Sequence, residues 1–99
     1  MIERHWTGLA KAAFADAYVH HLRTETFPAL DGIAGFAGAS ILQREVARGV
    51  EFLVITRWES LQAIHAFAGA DAEMAVVPTK VQAMMLEFEA RARHYVGVV

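Results

Sequence analysis

The chain has 99 residues and a formal net charge of −2, from nine basic and eleven acidic side chains. That near balance provides no positive field to hold a phosphate backbone, so nucleic acid is excluded as an expected partner. Cysteine is absent, which removes disulfides, thiolate metal sites and thiol nucleophiles together.

Alanine supplies 19 of the apolar residues, yet ten valines, six phenylalanines and two tryptophans remain. One domain spanning residues 1–99 is expected at this length, with apolar surface left over for a second copy or a ligand. No apolar run approaches the ~20 residues needed to cross a bilayer, and no signal-peptide core follows Met1. The expectation is a cytoplasmic protein with no membrane partner.

Residues Ile2 to Leu9 carry β-formers and an aromatic and read as a first strand. From Lys11 to Glu25 the period changes: Phe14, Tyr18, His21 and Leu22 fall on one helical stripe. Pro28 disfavours helical geometry at Phe27, which predicts an end or a kink there, and Asp31-Gly32 and Gly35 mark a turn-rich connection. Phe36 to Val46 and Val50 to Trp58 read as strands joined by Ala47-Arg48-Gly49 in a hairpin. Ser60 suits the N-cap of a short helix whose apolar side is Leu61, Ile64, Phe67 and Ala68, closed by Gly69. Residues 71–86 are ambiguous, with helical spacing at Val81, Met84 and Met85. Glu87 to Val99 alternates as a last strand.

The resulting order, β-α-β-β-α-β, predicts a ferredoxin-like split βαβ fold of the α+β class, an antiparallel sheet with both helices on one face. A sheet wet on its other face should alternate cleanly, but Phe52, Val54 and Trp58 oppose Leu53 and Ile55. A homodimer through that sheet face is the expected solution.

No strong catalytic motif is present, which leaves five histidines, two tryptophans and two tyrosines as the chemistry-bearing residues. Alternation in the last strand puts Ala92 and His94 on the helix-facing side. In the first strand the odd positions, with His5 and Thr7, are taken to face the same space, bringing His5 near His94 and sending Trp6 to the dimer face. Tyr18 and His21 share the inward stripe of the first helix and are expected at a pocket mouth. Trp58 and Phe67 are expected as pocket walls. His20 and His65 read as solvated, and His20-His21 makes a poor metal pair because adjacent helical residues point about 100° apart. No metal site is expected.

Several segments together resemble the antibiotic-biosynthesis-monooxygenase-like family. They are the opening MIERHWTG, the strand ending Trp58-Glu59-Ser60, the AFAG segment (Ala66 to Gly69), Val77-Pro78, and the closing Arg93-His94-Tyr95. The resemblance covers nearly the whole chain and implies a dimeric α+β barrel. It also implies cofactor-independent monooxygenase activity on a small phenol- or anthrone-like aromatic, in a cavity between sheet and helices. There His94 or His5 would favour deprotonation, with Tyr18, His21, Thr7, Trp58 and Phe67 around the substrate. Two further readings are a non-catalytic binder of an apolar metabolite and a haem-binding or haem-degrading protein. The haem branch of the family has an asparagine on strand one, a tryptophan on helix two and an axial histidine after it. The matching positions here are His5 (or Thr7), Phe67 and Val77, so the usual haem ligand is missing and no cofactor is expected.

Overall fold

The computed structural model describes residues 1–99. Its elements are β1 (Ile2–Ala10), α1 (Ala15–His21), α2 (Phe27–Asp31), β2 (Phe36–Val46), β3 (Gly49–Trp58), α3 (Leu61–Ala68), α4 (Thr79–Gln82), β4 (Met85–Phe88) and β5 (Arg93–Val96). The sheet is antiparallel, in the order β2-β3-β1-β4, with β5 following β4 along the same edge of β1. The helices cover one face, giving the expected α+β split βαβ plan with its last strand in two pieces.

That break has a simple geometric origin. Three steps along β1, from Gly8 to His5, lie opposite five steps from Phe88 to Arg93. Two surplus residues must leave the ladder, and the backbone there pairs instead with the 73–75 loop: Ala75 donates to Ala90 O and Ala92 to Glu73 O. Because the surplus is even, alternation survives the bulge, and His94 still lies on the helix-facing side opposite Arg4.

The first helical stretch also departs from the expectation. Residues Ala12–Phe14 form a 3-10 turn, which takes Phe14 off the inward stripe and leaves it largely exposed beneath Lys11. Tyr18, His21 and Leu22 are buried, as their spacing requires. The helix then passes through Phe27, which the sequence placed outside it, by widening into a π turn over Leu22–Thr26. The Phe27 N–H reaches back to the Leu22 carbonyl. Pro28 has no N–H and its ring crowds the carbonyl four residues earlier, so a wider turn before it lets the helix continue into α2.

Cross-strand partners share a face, and this sets the sides of β1. Arg4 opposes Thr56, Trp6 opposes Val54 and Gly8 opposes Phe52. All the β3 members of these pairs are buried under the helices. The even residues of β1 therefore face the helices, which reverses the sequence expectation: Trp6 points inward, and His5 and Thr7 lie on the opposite face. The IERHWTGL segment puts polar and apolar residues on both sides, so alternation alone does not separate them.

Two apolar clusters hold the layers together. One joins Tyr18, Leu22, Phe52, Val54, Val81 and Met85, the other Leu30, Trp58, Ala63 and Ile64, and Phe27 packs against both. Burying each large member contributes roughly 1.5–3 kcal/mol. In α3 the buried residues are Ala63 and Ile64, while Leu61 is largely exposed. Ser60 caps it as expected, accepting from the Ala63 N–H at 3.1 Å. At the hairpin, a Cβ on Gly49 would collide with the Ala10 carbonyl oxygen, so the close approach of β3 to β1 needs glycine there.

Candidate functional site

Between the two clusters lies a cavity of about 70 Å³ whose wall is mostly apolar. β1 contributes Arg4 and Trp6, and β3 contributes Val54 and Thr56. The first helical stretch contributes Tyr18, His21, Leu22, Thr26, Phe27 and Leu30. Phe67 comes from α3, and the Ala75–Pro78 loop closes the wall with Val81. Three of these lining residues, Leu22, Thr26 and Phe27, belong to the π turn or directly follow it, so the local widening shapes the cavity.

Arg4 is the least expected member of the wall. It is 5% exposed, and no carboxylate lies within ion-pair distance of it. Its Nη1 donates to Ala72 O at 3.0 Å and its Nη2 to Met74 O at 2.7 Å. The guanidinium also sits 5.6 Å from the centre of the Phe67 ring. Burial lowers its pKa, with Glu73 opposing, but a guanidinium stays charged at any ordinary pH. The cavity wall therefore contains a buried cation held by neutral carbonyls, with spare N–H donors, since only some of its five are used.

His94 lies next to this cation. Its Nε2 is 3.3 Å from Arg4 Nη1. Arginine can only donate, so Nε2 accepts and the imidazole is neutral. Burial and the Arg4 charge both push the His94 pKa down. His94 thus stands behind Arg4 and is not in the cavity wall.

Tyr18 is almost fully buried, with its ring edge-on to Phe52 at 5.0 Å. No buried side-chain oxygen or nitrogen in the protein lacks a partner. The Tyr18 hydroxyl makes no bond within the protein, so it opens on the cavity that the ring lines. Burial raises its pKa well above the usual phenol value, which keeps it a neutral donor.

His21 is likewise buried and lines the cavity. Its Nδ1 is 3.2 Å from Glu25 Oε2, and the same oxygen is bonded by Lys80 Nζ from α4.

The other expected residues lie elsewhere. Phe67 is in the wall, but Trp58 lies beneath it, stacked at 5.9 Å and fully buried, with Nε1 donating to Thr56 Oγ1. Trp58 supports the wall without reaching the cavity. His5 is on the opposite sheet face, against Tyr95 with ring centres 4.8 Å apart and Nε2 3.0 Å from Glu3. It does not meet His94, because its register partner is Arg93 and alternation puts the two histidines on different faces. Thr7 shares that outer face, in an open depression of about 600 Å³ with Arg48, Glu51 and Glu87. His20 and His65 are exposed. Arg4, Trp6 and Thr26 were not among the residues expected from sequence. The signal for Arg4 and Trp6 was the pairing of β1 with β3, which ties their side to that of Val54 and Thr56.

No protein-family model matches the chain, and no curated protein matches it. Among solved structures the chain is similar to a putative antibiotic biosynthesis monooxygenase from Bacillus cereus. The TM-score is 0.66 over 96% of this chain and 89% of that one, at 21% sequence identity. The chain thus has the antibiotic-biosynthesis-monooxygenase-like fold, as its sequence resemblance implies. No helix is long and apolar enough to cross a membrane.

Proposed function

We propose that the cavity binds a small phenol and promotes its oxygenation by molecular oxygen without a cofactor. The observation that carries this reading is Arg4, a buried cation in a mostly apolar wall with no carboxylate within ion-pair distance. In such surroundings a fixed positive charge strongly favours an oxyanion, and a phenolate is far more electron-rich than its phenol. The neutral Tyr18 hydroxyl is a second donor to the same oxygen. Leu22, Phe27, Val54 and Phe67 exclude water and supply ring contacts.

The reaction balances without an external reductant. The phenolate gives electrons to O2. One oxygen atom bonds to the ring carbon opposite the hydroxyl, the hydrogen there is lost, and the product is a quinone. The other oxygen atom leaves as water with the two hydrogens the substrate has lost. The substrate itself is oxidised by four electrons.

At about 70 Å³ the cavity is well below the ~300 Å³ of common ligand pockets, which favours a single ring over an anthrone. Haem does not fit these residues: Val77 is in the wall where the haem branch has its axial histidine, and the space is far smaller than a porphyrin. We also propose that the sheet face opposite the helices pairs two copies of the chain, since Leu42 and Leu53 sit as register partners there beside Ile55.

The test is oxygen uptake with electron-rich monocyclic phenols, together with binding of 4-nitrophenol, whose blocked para carbon prevents turnover. Uptake and a bound phenolate absorption band are expected below the free phenol's pKa, both lost in Arg4→Met. Because Arg4 also ties down the 72–74 loop, Arg4→Lys serves as a second variant that retains charge and part of the band. Binding of 4-nitrophenol as the neutral phenol would overturn the role of Arg4. Binding of phenols without any uptake would leave a passive binder.

A further inference from the structure

We propose that His21, oriented by Glu25, is the proton acceptor for the phenol in this cavity, an inference that rests on the functional reading above. Four observations converge on it. His21 lines the cavity and is 5% exposed. Its Nδ1 faces a carboxylate oxygen at 3.2 Å. That carboxylate is bonded in turn by Lys80 of α4. Finally, Nε2 has no partner within the protein, although no polar side-chain atom is sealed without one, so it remains open to a ligand.

The tautomer follows from the chemistry of the partner. Lys80 first, and His21 as well, hold the Glu25 carboxyl below the usual carboxylate range, so it is ionised near neutral pH. An ionised carboxylate has no hydrogen to give, so the Nδ1 of His21 carries one and donates it. A neutral imidazole with its hydrogen on Nδ1 has a bare lone pair on Nε2. This is the form a general base requires, with the carboxylate holding the ring and balancing the imidazolium when it forms.

The step is a simple proton transfer. The phenol O–H bond breaks and an Nε2–H bond forms. The new positive charge on His21 is set against Glu25, and the phenolate is set against Arg4. His94 cannot serve in this way, because its Nε2 is taken by Arg4. The division of labour is therefore between two elements of one wall: the cation from β1 and the base from α1. Glu25 acts as a positioning residue, not a catalytic one.

The decisive measurement is nitrogen NMR of the His21 ring, with and without 4-nitrophenol. In the free protein the Nδ1–H tautomer is expected, with a shift toward Nε2–H in Glu25→Gln and recovery in Glu25→Asp. On binding, His21 is expected to become imidazolium as the phenolate band appears. In His21→Gln the ligand should still bind but with a weakened band, and oxygen uptake should fall by about 10²–10⁴-fold. Glu25 is exposed, so its variants test the dyad even if His21→Gln fails to fold. An Nε2–H tautomer in the free protein, or a phenolate band that forms while His21 stays neutral, would overturn the assignment while leaving the cavity reading in place. Failure of wild-type protein to bind any phenol would overturn the cavity reading, and this proposal with it.

Discussion

His94 and Arg4 show how a buried charge ties one residue's titration to the stability of the whole chain. An unfolded His94 titrates near 6.5, and in the folded chain burial and the adjacent Arg4 hold it lower. Between those two values the unfolded chain binds the extra proton, so stability falls as pH drops below 6.5 toward the folded value and is fully retained above it. Urea unfolding over that range should show a shallower pH dependence in His94→Gln. An unchanged slope would mean that another group dominates. The carboxyls of Glu3, Glu25 and Asp71, held low by their basic neighbours, lose their contribution only at more acid pH. Gly8 is a second residue with a sharp consequence. A Cβ there would lie 2.5 Å from the Trp6 ring and 3.1 Å from Met85 Sδ. Gly8→Ala must displace the indole, whose Nε1 donates to Glu89 O and whose ring lines the cavity. We expect a loss of about 1–3 kcal/mol and a shifted tryptophan emission, measured by denaturation followed by fluorescence.

At the level of elements, the site depends on two irregularities in otherwise ordinary structure. The π turn over Leu22–Thr26 sits in the cavity wall, and the bulge between β4 and β5 gives the 73–75 loop its backbone partners. The same stretch, from Ala72 to Met74, supplies its carbonyl oxygens at both ends to Arg4. Arg91 clamps the same region from the bulge with two bonds to Asp71, at 2.8 and 2.9 Å. Arg91→Ala should therefore loosen the 71–75 segment, seen as faster amide exchange there, with little change in global stability because the pair is exposed to solvent. By contrast, α3 is locally self-sufficient at its start. Ser60→Ala should cost about 1 kcal/mol through loss of the bond to Ala63, measured by thermal or urea unfolding.

For the whole molecule, the outer sheet face is the surface the helices leave uncovered. It carries Leu42 and Leu53 at its centre, with ion pairs Arg44–Glu51 and Arg57–Glu3 around them. Apolar residues framed by satisfied charges suit a second copy of the same surface, and light scattering should return twice the chain mass. Leu42→Glu should convert it to the chain mass, since the substitution puts a carboxylate against apolar surface. A monomer in the wild-type protein would overturn the pairing.

The element order, the Ser60 cap, the inward stripe of Tyr18, His21 and Leu22, and the resemblance carried by Trp58 and Arg93-His94-Tyr95 were all readable from the chain. Each depends on local period, a capping residue or a short motif, which neighbouring residues determine. Three features were decided only by tertiary structure. The inward side of β1 follows from pairing with β3, since its own alternation is ambiguous, and that pairing brings Arg4 into the wall and sends His5 away. The helix continues past Pro28 because burial of Phe27 and Leu30 favours packing over the local preference to break. The distance between Trp58 and the cavity depends on Phe67 stacking over it from another element. Faces and contacts between distant segments arise from long-range packing, and no short stretch of sequence encodes them.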